Sequence, residues 1–225
     1  MTATAPPKRQ RASYDAAHLT EWNAVSGFLP SLHGLHFANR WEPGPTIRLG
    51  VIDPRWVGVG DARSGLCGGM SWFVRERFGA GQPIPADVAA PANGSPLFRA
   101  IVRRQVLSLD WMRVPLRLWL AALMDREALA RRTLEVEWPR IRSEIDAERL
   151  PMVGLIRHHG WNPMQLDRDH QVLAYAYEAD GPAGPATIHL YDPNWPDRDD
   201  VTLTLSSAGF RQSTGEPLLG LVSGD

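Results

Sequence analysis

The sequence has one cysteine, Cys67, and one lysine, Lys8, in 225 residues. A single thiol cannot close an internal disulfide, and this fits a reducing compartment. The positive charge is therefore almost all arginine. Set against 25 acidic residues, it leaves a formal net charge of −1. That balance provides no global basic field to hold a phosphate backbone, so nucleic acid is not an expected partner. Long apolar runs are also missing. The best, "VPLRLWLAALM", is shorter than a bilayer span and carries Arg117. The first residues, "MTATAPPKRQRASYDAAH", contain no apolar stretch of the secretory kind. The expectation is a cytoplasmic protein with no membrane partner, with export by a route needing no N-terminal signal left open. No oligomeric state follows.

The hydrophobic fraction is 44%, enough for a substantial core, with nine tryptophans and nineteen prolines. Residues 1–15 are small, polar and basic and read as a disordered tail. Residues 16–225 read as one domain, since no linker-like tract or internal repeat divides them. The Gly-, Pro- and Ala-rich stretch 79–96 is either a surface loop or a subdomain boundary.

Two periodicities divide the chain. In "CGGMSWFVRERF", Met70, Phe73, Val74 and Phe78 recur at helical spacing. In "SPLFRAIVRRQVLSL", Ser95 is placed as an N-cap and Pro96 at the first helical position, with Phe98, Ile101, Val102, Gln105 and Leu109 on one face. Pro139 is placed at another helix start, with Ile141 and Ile145 inside and Pro151 ending it. After residue 151 the period shortens. Residues 152–158, 170–180, 186–192 and 201–205 are short, β-branched or aromatic, and bounded by turns. In the second of these, His170, Val172, Ala174 and Ala176 are expected on one face. The fold class is α+β, a helical N-terminal half packed on an antiparallel sheet.

Cys67 falls at a predicted helix start, followed by Gly68 and Gly69. The thiolate is the nucleophilic form of cysteine, and the positive end of a helix dipole favours it. Free N–H groups in the first turn suit a developing oxyanion. The glycines leave that backbone bare for a substrate or a facing strand. Such a thiol needs a base, held by a third polar group. Of seven histidines, His170 opens a predicted strand, and Asp192 ends the next one just before Pro193. An antiparallel pairing of the two strands would make His170 and Asp192 neighbours at one rim.

The ordered segments "GLCGGMSWF", "DHQVLAYAYEAD" and "IHLYDPNWP" resemble papain-like cysteine peptidases, and within them the bacteriocin-leader (C39-like) branch. The resemblance implies a papain-like fold with Cys67 as nucleophile, His170 as general base and acid, and Asp192 as orienter. Gly68 lies on the oxyanion side, and Asn194 is a substitute orienter. The chain also resembles uncharacterised bacterial proteins carrying "GLCGGM" and "NHQVLAYGY"-type segments. One position departs from the peptidase pattern. Where such peptidases usually carry a glutamine about six residues before the cysteine, this chain has Asp61, whose carboxylate would repel an oxyanion.

The implied activity is a cysteine hydrolase or acyltransferase acting on a peptide, amide or ester, with no cofactor. The alternative is a non-catalytic binding module on the same fold. A weaker one is a calcium-stabilised structural domain using the acidic turn from Asp192 to Asp200. A zinc site at His158 and His159 is disfavoured, because adjacent strand residues point to opposite faces. Residues 33–45 read as a packed loop anchored by Phe37 and Trp41.

Overall fold

The structure is a computed structural model, and it describes residues 20–42, 65–108, 117, 120–158, 170–181 and 184–224. Asp61, His159, Leu109 and the N-terminal tail lie outside these residues. The molecule is α+β. Its strands are β1 (Glu21–Ala24), β2 (Met152–Ile156), β3 (His170–Ala179), β4 (Ala186–Tyr191), β5 (Thr202–Ser206), β6 (Gly209–Gln212) and β7 (Gly220–Ser223). They form one sheet in the order β6-β5-β4-β3-β2-β7, and the pairs are antiparallel. One long edge of β3 pairs with β4. The other is shared, with β2 along residues 170–173 and β1 along residues 176–179. The central strand is thus buried along nearly its whole length, which is why its sequence runs apolar instead of alternating. The alternation expected from His170 to Ala176 holds as far as Ala174. A bulge at Tyr175 then shifts the register against β4 and breaks it.

The helices are α1 (Pro30–His33), α2 (Cys67–Gly79), α3 (Pro96–Ser108), α4 (Arg126–Arg132) and α5 (Trp138–Asp146). Ser95 caps α3, its hydroxyl accepting from the Phe98 N–H at 3.2 Å. Asp125 caps α4 through Ala128 N at 2.8 Å. Pro139 lies at the start of α5, as its sequence position suggests, but this helix follows the preceding one without a break. Residues Thr133–Glu137 form a π turn that joins α4 to α5 directly. Proline lacks the N–H and its ring crowds the carbonyl four residues back. A widened turn just before it accommodates both defects without ending the helix.

That π turn closes one end of the sheet. Thr133 Oγ1 accepts from Leu221 N at 3.0 Å, and Glu137 Oε2 accepts from Ser223 N at 2.9 Å. Both donors lie on β7, whose outer edge would otherwise be open. Gly220 permits the approach, since a Cβ there would sit 2.6 Å from Leu129 and 2.8 Å from Thr133 Oγ1.

A single apolar cluster draws on both halves of the chain. Met70, Phe73 and Val74 of α2, Phe98 and Ile101 of α3, and Ile141 and Ile145 of α5 pack with Leu173, Ile188, Leu203 and Leu221 of the sheet. Phe37 and Trp41 belong to it as well, as loop anchors. Residues 80–95 form an irregular, largely exposed loop between α2 and α3.

Candidate functional site

Register explains why α2 meets the sheet where it does. On the β3–β4 ladder Leu173 faces Tyr191. Continued by two residues, the ladder sets Gln171 opposite Pro193, which has no N–H to offer. The main chain of Gln171 bonds to α2 instead. Its N–H reaches Cys67 Sγ at 3.4 Å, and its carbonyl accepts from Ser71 Oγ at 3.3 Å. Helix α2 thereby occupies the place a strand would have taken, and the half-buried Cys67 lies beside the first residue of β3.

Gly69 of that helix serves packing. A Cβ on Gly69 would run into the Ile101 carbonyl of α3 and come within 2.9 Å of Gln105 N. The clearance that the sequence suggests for a substrate or strand is, at Gly69, clearance for a second helix. Gln105 also turns inward, and its Oε1 accepts from Gly69 N at 2.6 Å. This N–H is therefore taken. Leu66 N is taken too, by Asn39 Oδ1 at 2.7 Å. Among the described residues the Cys67 N–H has no partner, and the Gly68 N–H points to the sulfur.

His170 and Asp192 meet at the rim. His170 Nε2 donates to Asp192 Oδ1 at 2.6 Å, with both side chains buried. An ionised carboxylate only accepts, so this bond fixes the proton on Nε2 and leaves Nδ1 for Cys67, which lies within hydrogen-bonding reach of the ring. Two further donors hold the carboxylate. Asn194 N reaches Oδ1 at 2.8 Å, and Gln212 Nε2 reaches Oδ2 at 2.9 Å. Gln212 Oε1 in turn accepts from Arg157 Nη2 at 2.8 Å. Arg157 follows β2 and Gln212 ends β6, four strands away, so the sheet curls enough to bring them together.

The electrostatics follow from these contacts. Burial alone would push the Cys67 thiol up, but the His170 hydrogen bond and charge, with the Gln171 and Gly68 N–H groups, hold it below its ordinary value. Burial alone would also push His170 down. Asp192 and Cys67 outweigh it and raise the imidazole to about 10. Asp192 is likewise held below the usual carboxylate range, because His170, the Asn194 N–H and the Arg157 charge outweigh its burial. The three groups favour thiolate, imidazolium and carboxylate together.

The remaining sequence candidates lie elsewhere or are otherwise engaged. The Asn194 side chain faces Asn39 at 3.3 Å and not His170; only its N–H serves Asp192. His189 pairs with Glu178 at the far end of β3. In the acidic turn, Asp197 meets His36 Nδ1 at 2.6 Å and Asp199 accepts from Ser31 N and Oγ at 2.9 and 2.7 Å. Asp200 pairs with Arg198 at 2.6 Å. These carboxylates point at separate protein donors, and among the described residues no three metal-ligating side chains gather. Asn39, Gln105, Gln212 and Arg157 are the residues that sequence reasoning missed as site components. Gln105 alone left a signal, as a polar residue on the inner face of an apolar helix.

Scanned against protein families, the chain matches no family model, and searches of curated proteins and of solved structures find no match.

Proposed function

We propose that the protein is a papain-like thiol hydrolase or acyltransferase acting on an amide or ester. The observation that carries this reading is the division of labour on one imidazole. Asp192 holds Nε2, and Nδ1 is left for a thiol at a helix N-terminus.

The Cys67 proton passes to His170 Nδ1 and the thiolate attacks the substrate carbonyl, forming a C–S bond. Charge develops on the carbonyl oxygen, where the Cys67 N–H, which has no partner among the described residues, and the helix dipole stabilise it. Collapse breaks the bond to nitrogen or oxygen, and His170 returns its proton to the leaving amine or alcohol. Water, or another nucleophile, then attacks the thioester and gives a proton to His170. Collapse breaks the C–S bond, the acid or transferred acyl product departs, and Cys67 is left as a thiolate beside the protonated His170. Asp192 keeps the tautomer and stabilises the imidazolium throughout.

The test is alkylation of Cys67 by iodoacetamide as a function of pH, in the wild type and in His170→Ala. The wild type is expected to react with a midpoint below that of a free thiol, about 8.5. His170→Ala should raise the midpoint to the free-thiol value or above it, since burial is then less opposed. A wild-type midpoint at the free-thiol value would overturn the reading.

A further inference from the structure

We propose that Asn39 is a positioning residue, which locks the start of the nucleophile helix to the turn that carries Asp192. The proposal rests on the proposed thiol chemistry and adds to it a residue with no part in the catalytic triad.

Asn39 is half-buried in the loop after α1, and its polar atoms serve three segments. Its Oδ1 accepts from Leu66 N at 2.7 Å and from Trp41 Nε1 at 2.9 Å. Both partners can only donate, so the orientation of the amide is settled by them. Nδ2 then faces Asn194 Oδ1 at 3.3 Å, and the Asn39 N–H donates to Pro193 O at 2.8 Å. Leu66 is covalently next to Cys67, and Pro193 next to Asp192. The contacts therefore close a ring. From Cys67 it runs through His170 to Asp192, along the chain to Asn194, across to Asn39, and back through Leu66.

Gly65 shows how tight this closure is. It holds a φ of +86°, and a Cβ there would lie 2.6 Å from Asn39 Nδ2. The backbone adopts a conformation that suits glycine in order to lie flat against the amide. Without Asn39 the Leu66 N–H and the Trp41 indole N–H lose their acceptor, and Leu66 and Trp41 are both buried. The nucleophile helix then keeps its contacts to β3 and α3 but loses its tie to the Asp192 turn. The thiol–imidazole separation is set by both connections together. A small change in it weakens the interaction that favours the thiolate.

The experiment is the pH profile of Cys67 alkylation in the full chain, with melting temperature measured alongside. Two neutral variants are compared with the wild type. Asn39→Ala removes every side-chain contact. Asn194→Ala removes only the acceptor of the bridge and retains the backbone N–H that holds Asp192. Asn39→Ala is expected to raise the midpoint by about one pH unit, a roughly tenfold loss of rate on the acidic side. Asn194→Ala should shift it the same way by less. A purely structural role would lower the melting temperature and leave the midpoint of the folded protein unchanged. If Asn39→Ala does not fold, Asn194→Ala decides. Unshifted midpoints against a low wild-type midpoint overturn the role of Asn39 alone, whereas a wild-type midpoint at the free-thiol value overturns the thiol reading itself.

Discussion

Among the described residues two carboxylates are buried, and they are partnered in opposite ways. Asp192, 1% exposed, is held by a histidine, a glutamine and a backbone N–H. Glu137, fully buried, meets the guanidinium groups of Arg132 at 2.6 Å, Arg117 at 3.6 Å and Arg140 at 3.9 Å, together with the Ser223 N–H. A guanidinium stays charged at every accessible pH, so the arginines around Glu137 have no proton to exchange, and the cluster serves as a brace on the edge of β7. An imidazole can gain and lose a proton, so the Asp192 cluster can pass one on to a thiol. Both carboxylates satisfy the rule that buried charge must be paired. The kind of partner separates the structural one from the proposed chemical one.

The contrast is broken most severely at Asp192. Asp192→Asn keeps the shape and removes the charge that fixes the His170 tautomer. Reaction of Cys67 with a thiol-reactive acyl probe is expected to fall by about 10²- to 10⁴-fold, with only a modest change in melting temperature. Glu137→Ala should do the reverse. It leaves three arginines around an empty buried site and the Ser223 N–H without an acceptor. Breaking a buried pair costs about 3–5 kcal/mol, and the partly exposed arginines place this variant near the lower figure. The melting midpoint should drop by about 6–12 °C, while the alkylation midpoint stays where it is. Equal effects of the two substitutions on both readouts would erase the distinction.

The pH dependence sharpens it further. Cys67→Ser removes the thiol titration and isolates the His170–Asp192 pair. His170 has a raised folded value, so its contribution is complete below about 6.5 and is lost as pH rises through that folded value. In this variant the folded value lies below the about 10 of the wild type, because Cys67 no longer supports it. Asp192 is depressed. Its contribution is present above about 3.9 and is lost as pH falls through the folded value. Melting of Cys67→Ser should therefore weaken from pH 7 toward pH 9 and again below pH 4. Each unit of separation between folded and unfolded values is worth about 1.4 kcal/mol. Adding His170→Ala should flatten the alkaline limb, and an alkaline limb that persists would assign it to other groups.

How much of this was legible in the sequence depended on range. Local signals were clear. The helix starting at Cys67, the Ser95 cap and the strand beginning at His170 each rest on a few adjacent residues. The rim pairing of β3 and β4 was accessible too, since a ten-residue strand and its successor share a short turn. The short strands β1, β6 and β7 carried no usable period in four residues each. The residues that complete the site come from far away in sequence. Asn39 reaches Leu66 across 27 residues and Asn194 across 155, while Gln212 reaches Arg157 across 55. A lone amide carries no mark of its eventual partner. Pro139 did mark the start of α5, but the π turn that joins this helix to the one before it left no sign in the sequence.

That π turn offers the finest test of the structural half of the comparison. Thr133 and Glu137 are four residues apart and both face β7, each taking one N–H of an edge strand. Thr133→Val replaces the hydroxyl with a methyl of similar size. Leu221 N then has no acceptor at a site where the Thr133 side chain is fully buried. The expected loss is about 1 kcal/mol, the net value of one hydrogen bond, rising toward about 2 if water cannot reach the orphaned donor. Hydrogen exchange at Leu221 should accelerate, while Ser223, still held by Glu137, stays protected. Cys67 alkylation should not change. If the exchange at both amides accelerates together, the two side chains act as one clamp and the brace is cooperative. If neither accelerates, the edge is protected by packing alone and the π turn is not what covers it.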